Sequence, residues 1–408
     1  MNRKALLAFI VVIPSLAAAA SLMMQTSPKP ASTTSAVAIP FELVLRHIVL
    51  KARINNSRPL SFVLDTGDKV AIVDAQRAKE LGLNLQGQIK VGGAGGEMLT
   101  GSFVQGSTWT LPGLEGFSQP VALAIPLGRL AARFGHDFDG IIGSDFIRQF
   151  VVEIDYQARV IGLHDKGKFI YSGTGESFPI QLDQQGHPSL EAEVTPIGGR
   201  PIKGRFVLDI GSGAALTLHS PFVSEHRLLS PDLKTIRAIG AGGTGGQTNG
   251  QIGRVSELRI GKFKIAAPIT LFSEDKAGAF ANTVLAGNIG QQVANKFRLF
   301  LDYNHERIIL EPTATFREPF DRAFSGLALI AEDKDYTTFR ITDVLENSPA
   351  SEAGLQQDDR IIRVNGKPAS ELTLTKLSEM FERSVAHKLT IRRGDQTLEV
   401  TLTPRKLV

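Results

Sequence analysis

No cysteine occurs among the 408 residues, which removes disulfide staples, thiol nucleophiles and thiolate metal sites together. Stability must come from burial and hydrogen bonding, and a chain of this length divides into two or three units that each bury a core. One Trp and 7% aromatics leave no interleaved platform for stacking bases. The formal charge of +4, half of it from Arg3 and Lys4, is too small for an electrostatic footprint on nucleic acid. The eight histidines are scattered, with neither HExxH nor a close pair at ligand spacing, so no metal and no cofactor are expected. GxSxG is missing too, and with it the usual signature of a serine hydrolase. The run Gly240-Ala241-Gly242-Gly243-Thr244-Gly245 has dinucleotide-loop spacing, but Gln247-Thr248-Asn249-Gly250 continues it as a turn where a helix would have to open.

What is present begins with a leader. Arg3 and Lys4 precede an apolar run from Ala5 to Leu16, and Ala17 to Ala20 offer a small-residue cleavage site, so residues 1–25 read as an export signal. An uncleaved anchor is the alternative, since Ala5 to Met24 is about the length that spans a bilayer. Either way the body is exported, periplasmic or secreted, with membrane attachment in the anchored case. Residues 26–38, rich in Ser, Thr, Pro and Ala, read as a linker. Forty glycines, against an average of about 7%, point to many tight turns between strands.

The chain then repeats itself. Phe62-Val63-Leu64-Asp65-Thr66-Gly67 is answered 144 residues later by Phe206-Val207-Leu208-Asp209-Ile210-Gly211, and at the same interval Gly140-Ile141-Ile142-Gly143 is answered by Val284-Leu285-Ala286-Gly287. Glycine-rich segments follow each aspartate, at 92–96 and 240–246. Short helices are expected from Ser144 to Phe150 and from Asn288 to Phe297, each leading into a strand. We read a duplicated β-rich domain, with lobes at 39–175 and 176–315. Two copies are too few for a solenoid and suit a closed two-lobed body. Residues 320–408 differ: five strands, and Leu374, Leu377, Phe381 and Val385 at helical spacing, make an α+β domain.

Each aspartate ends an apolar strand and is followed two residues on by a glycine that permits a tight turn. If a pseudo-twofold axis brings two such carboxylates together, they cannot both ionise and share one proton. A shared proton is general acid/base equipment.

With these motifs, residues 39 to about 312 resemble the aspartic peptidases, pepsin-like in carrying both lobes in one chain and retropepsin-like in lobe size. The resemblance implies two pseudo-symmetric acid-protease β-barrel lobes in a mainly β chain, with Asp65 and Asp209 catalytic and Thr66, Gly67, Gly211 and Ser212 supporting them. It also implies hairpin flaps carrying Gly93, Gly95, Gly243 and Gly245, closing over peptide or protein substrates. In the family, the later hydrophobic-hydrophobic-glycine signals, here Ile141-Ile142-Gly143 and Leu285-Ala286-Gly287, buttress the aspartate loops. Three departures stand out. Asp68 replaces a small residue and would oppose ionisation of Asp65 unless Lys69 compensates; Ile210 replaces the threonine that joins the lobes; and the flaps carry no tyrosine. Asp68 and Ile210 also favour an alternative, a protease fold kept as a peptide-binding adaptor without turnover.

The last segment resembles a PDZ domain of the bacterial, circularly permuted kind. The resemblance rests on Ser348-Pro349-Ala350, Ala353-Gly354-Leu355, Asp358-Asp359-Arg360-Ile361-Ile362 and Val364-Asn365-Gly366. It implies that Gly326, Leu327, Ala328 and Leu329 hold a peptide C-terminus, which adds as a strand beside Leu329 with the helix of Leu377 and Phe381 as the other wall.

Overall fold

The computed structural model describes residues 37–117, 119 and 121–408. The export signal expected at 1–25 and nearly all of the linker expected at 26–38 lie outside them. Val37 and Ala38, which that linker included, instead open the strand Val37–Pro40. Among the described residues no helix is long and apolar enough to cross a membrane.

Strands account for 44% of the chain and helices for 13%. The first lobe is a ten-stranded sheet that runs, edge to edge, Asn84–Val91, Leu99–Gln105, Ala122–Ile125, Ala71–Asp74, Gly140–Ile142, Leu60–Leu64, His47–Ile54, Trp109–Leu111, Leu114–Phe117, with Glu42–Val44 beside His47–Ile54. The second repeats that order: Ile236–Arg237, Gly250–Arg254, Ile269–Ser273, Leu216–Leu218, Gly287–Ile289, Ile202–Leu208, Pro188–Thr195, Glu257–Ile260, Phe263–Ala266, with Gln181–Leu182 on the side. Both are open paths among the described residues, with no closed barrel. The edge strand Asn84–Val91 shows why: no residue in it is buried, and it runs out into a glycine tip instead of pairing with the far edge.

The aspartate strands lie in the middle of these sheets. All five residues of Leu60–Leu64 are buried, Ser61 included, and burial that does not alternate suits a strand covered on both faces. Phe62, fully buried, packs on Trp109 with ring centroids 5.1 Å apart; burying side chains of this size contributes roughly 1.5–3 kcal/mol each.

The duplication is confirmed with one correction. Phe62, Val63 and Leu64 pair in parallel with Gly140, Ile141 and Ile142, whereas Phe206, Val207 and Leu208 pair with Gly287, Asn288 and Ile289. The counterpart of Ile141-Ile142-Gly143 is therefore Asn288-Ile289-Gly290, three residues later than Leu285-Ala286-Gly287. The backbone agrees: Gly143 and Gly290 both cap short helices, at φ −96°, ψ −167° and φ −98°, ψ −172°. Extra loop residues in the second lobe absorb the shift, and the helix expected from Asn288 is confined to Gln291–Ala294.

A six-stranded sheet joins the lobes. Val151–Asp155 pairs antiparallel with Phe297–Asp302, and Val160–His164, Val37–Pro40, Arg307–Pro312 and Glu176–Pro179 extend it outward on either side. The C-terminal domain has its own sheet, in the order Leu327–Glu332, Thr338–Val344, Arg360–Val364, His387–Arg393, Gln396–Leu402, and a separate core around Phe339, Ile341, Leu377 and Ile391. Its helix spans Leu374–Phe381, started by Thr373, whose hydroxyl accepts from Lys376 N–H at 3.1 Å. Val385 lies beyond the helix end and is 57% exposed.

Candidate active site

The paired sheet registers bring both aspartates to the same level. Asp65 N–H donates to Ile142 C=O at 3.0 Å and Asp209 N–H to Ile289 C=O at 2.9 Å, so the strand carrying the glycine signal fixes each acid's backbone. The two loops then approach until only glycine fits between them. A Cβ on Gly211 would stand 2.0 Å from the Asp65 carboxyl carbon. A Cβ on Gly67 would meet Asp65 Oδ1 at 3.0 Å and Asp209 Oδ1 at 3.3 Å, so both carboxylates reach one small volume. Gly67 N–H also donates to Asp65 Oδ1 at 2.6 Å.

Beneath the acids the lobes are tied from one side. Thr66 Oγ1 donates to Leu208 C=O at 2.5 Å and accepts from Ile210 N–H at 3.0 Å. Ile210, fully buried, has no hydroxyl to return the pair. Ser212 does not serve Asp209 through its side chain as expected; its Oγ accepts from Ala214 N–H at 3.4 Å. The side-chain donor to Asp209 is Asn288, whose Nδ2 lies 2.7 Å from Oδ2.

Burial raises the proton affinity of both acids. Asp65 is pushed well above the ordinary carboxylate range, first by desolvation and then by the charges of Asp209 and Asp68. Asp209 is raised by desolvation, against which Asn288 and His187 act. Asp68 is a third carboxylate at the site, raised to about 6 by desolvation and by Asp209, with His187 opposing. Lys69 does not compensate, because its Nζ turns away to Gln184 C=O at 3.0 Å. Among the described residues no cluster of His, Asp or Glu is arranged to hold a metal ion.

The glycine segments are hairpin tips, and they meet. The tip between Asn84–Val91 and Leu99–Gln105 touches the one between Ile236–Arg237 and Gly250–Arg254. Glu97 N–H donates to Gly245 C=O at 2.9 Å. A Cβ on Gly93 would fall 2.0 Å from Thr244 O, and one on Gly95 2.1 Å from Gly245 O. These glycines are required by close approach, and Gly243, beside Ala94, lines the same contact. Gly93 C=O further accepts from Ala279 N–H at 3.1 Å.

Comparison with known proteins gives these regions names. The family model described as aspartyl protease matches residues 50–146, and the PDZ domain model matches residues 316–400. The chain joins an aspartyl protease domain to a PDZ domain. Similar curated proteins include the serine protease HTRA1 of Xenopus laevis, 33% identical over 67 residues, 16% of this chain and 14% of that protein. A probable CtpA-like serine protease of Staphylococcus haemolyticus is 29% identical over 104 residues, 25% of this chain and 21% of that one. The serine protease HTR4 of Rattus norvegicus is 25% identical over 152 residues, 34% and 30%. The chain thus spans less than a third of the length of these relatives. Among solved structures, the HtrA3 PDZ domain bound to a phage-derived ligand is similar at 24% identity, covering 20% of this chain and 85% of that one, with a TM-score of 0.19.

The PDZ domain does not stand apart. Its strand Leu327–Glu332 pairs with Thr338–Val344 on one edge, and the helix Gly128–Phe134 of the first lobe packs against it. A Cβ on Gly135, just past that helix, would lie 2.6 Å from Leu374 Cβ and 3.2 Å from Ala331 Cβ. Leu45, in a turn where it and Arg46 both have positive φ, packs on the PDZ core and donates its N–H to Thr375 Oγ1 at 3.2 Å. Arg46 pairs with Glu382. Of the four residues expected to hold a peptide terminus, Gly326 turns at φ 83°, Leu327 and Leu329 pack on the domain core, and Ala328 touches the second flap, 3.0 Å from where a Gly240 Cβ would be. Arg237, at the base of that flap, holds Asp343 with two bonds of 2.9 and 3.1 Å. The same helix reaches both flaps, through Arg129 to Glu97 at 2.5 Å and Arg133 to Ala241 C=O at 3.4 Å. Neither this cover nor the role of Asn288 is announced by a motif.

Proposed function

We propose that the chain is an exported aspartic endopeptidase whose PDZ domain governs entry to its cleft. The observation that carries the first half is the convergence of Asp65 and Asp209, from matching strand ends, on one volume, with burial favouring a retained proton. The ionised member would take a proton from water while its oxygen attacks the peptide carbonyl carbon. The protonated member would give its proton to the carbonyl oxygen; the member that took the water's proton would then pass it to the amide nitrogen as the C–N bond breaks, while a hydroxyl of the tetrahedral carbon returns its proton to the other acid, with no covalent intermediate. The serine chemistry of the relatives belongs to those proteins; the side chains gathered here are acids.

The PDZ half rests on what covers the peptide-binding edge. A ligand adding beside Leu329 must take the place of the helix Gly128–Phe134, which also touches both flaps. Ligand binding and the closed flaps would then exclude each other, so a peptide C-terminus acts as an opener.

The test is hydrolysis of a diverse peptide mixture from acidic to neutral pH, with Asp65→Asn and Asp209→Asn beside the wild type. Loss of at least about 10³-fold in either variant is expected. Cleavage that survives both substitutions, or binding without cleavage at any pH, ends the peptidase reading. For the PDZ half, a selected peptide with a free C-terminus should raise the rate on an unrelated substrate, its amidated form should not, and Leu45→Asn should raise the basal rate. A peptide that binds and leaves the rate unchanged removes the opener.

A further inference from the structure

The two acids differ in what stands behind them. Asn288 lies opposite Val207, one residue short of the end of its strand, just as Ile141 lies opposite Val63. The first lobe therefore presents an aliphatic side chain where the second presents an amide. That amide is held at both ends: Nδ2 is 2.7 Å from Asp209 Oδ2, and Oδ1 is 2.9 Å from His219 Nε2. His219 is 2% exposed and burial lowers its pKa; an amide oxygen can only accept, so in this contact Nε2 is the N–H that donates. With that tautomer the amide has one consistent orientation, because turning it over would set Oδ1 against a carboxylate oxygen and the NH2 group against an N–H. The residue matching His219 in the first lobe is Asp74, which caps the helix Ala75–Glu80 by accepting from Gln76 and Arg77 N–H and offers nothing to Asp65.

We infer that Asn288, locked by His219, is a positioning residue that makes Asp209 the ionised member of the dyad and leaves the shared proton on Asp65. A donor on Oδ2 stabilises the carboxylate and not the acid. Backbone donors serve both acids, Gly67 and Gly211 toward Asp65 and Ser212 and Gly211 toward Asp209, so they do not choose between them, and the charged groups facing the pair agree in sign. Asp68 and Asp209 both press on Asp65, whereas His187 acts to lower Asp209 and Asp68. Asp209 is then the base that takes the proton from water, and Asp65 is the acid that polarises the carbonyl. This division of labour rests on the peptidase reading; the hydrogen-bond chain that sets it does not.

The experiment compares the full chain with Asn288→Leu, which copies the aliphatic first lobe, and with His219→Phe and His219→Gln. Two readouts are taken: the acid limb of kcat/KM against pH, and the titration of ¹³C-labelled aspartate carboxyls, assigned with Asp65→Asn and Asp209→Asn. Asn288→Leu should move the acid limb and the lower carboxyl step upward by about one pH unit. His219→Phe should move both the same way by less, and His219→Gln, which can still donate, should restore them. A rate that falls equally at every pH, with the carboxyl steps unmoved, overturns the inference. If the wild type hydrolyses nothing but Asn288→Leu still lifts the lower step, the positioning role stands and the peptidase reading fails.

Discussion

The two lobes share a strand order and an aspartate at the same place, and they diverge in the layer behind it. In the first, Val63, Ile72, Leu123, Ile141 and Phe138 form an apolar cluster against which Phe134 packs. In the second, the positions matching Ile72 and Ile141 are Thr217 and Asn288, which pair across the same strands. A duplicated scaffold can thus keep its backbone register while its two acids acquire different partners. The first lobe lays its helix Gly128–Phe134 on the PDZ domain, and the second supplies the side-chain donor to its acid.

The comparison breaks most sharply at the glycines. Gly211→Ala puts a methyl group within bond-length range of the Asp65 carboxyl carbon, whereas Gly67→Ala meets Oδ1 at 3.0 Å. Peptide hydrolysis should fall by at least about 10²-fold in the first variant and by clearly less in the second. Equal losses would mean that the loops are more symmetric than their contacts.

The one-sided tie comes next. Thr66→Val leaves Leu208 C=O and Ile210 N–H without their buried partner and should cost about 2–4 kcal/mol in urea unfolding. Ile210→Val removes one buried methylene and should cost about 0.5–1.5 kcal/mol. Similar values for the two would remove the asymmetry beneath the dyad.

A smaller effect than the loss of the Thr66 tie belongs to Asp68. Its folded pKa of about 6 lies above the ordinary 3.8, so the native state binds its proton more tightly than the unfolded chain does. The resulting stability is complete below about pH 4 and is lost as pH rises through 6. Asp68→Asn should therefore raise stability at pH 7.5 by about 1–2 kcal/mol, discounted for its partial exposure, and change little at pH 4. Thermal melts at the two pH values check the sign.

Much of this was legible in the sequence because it is local. Asp65-Thr66-Gly67, its echo at 209–211, and the Ser348 and Asn365 turns of the PDZ domain are contiguous signals whose chemistry does not depend on distant packing. Asn288 was hidden by a small insertion. Matching Leu285-Ala286-Gly287 to Ile141-Ile142-Gly143 put the glycine three residues early, and only strand pairing shows the polar residue in the apolar place. The cover on the PDZ edge was hidden differently. Leu45 and Thr375 are 330 residues apart, and an apolar residue at a turn carries no sign of what it will press against.

The sheet shared by Val151–Asp155 and Phe297–Asp302 bears on any attempt to dissect the molecule. The lobe limits mark repeats of sequence, not separable bodies. Cut between them, each half would expose the backbone of a central strand over its whole length, a template for any chain able to pair with it. The most available such chain in a preparation of one lobe is another copy of the same lobe. Isolated halves are therefore expected to precipitate or pair with themselves, and truncation should be made after residue 312, where the sheet is already complete.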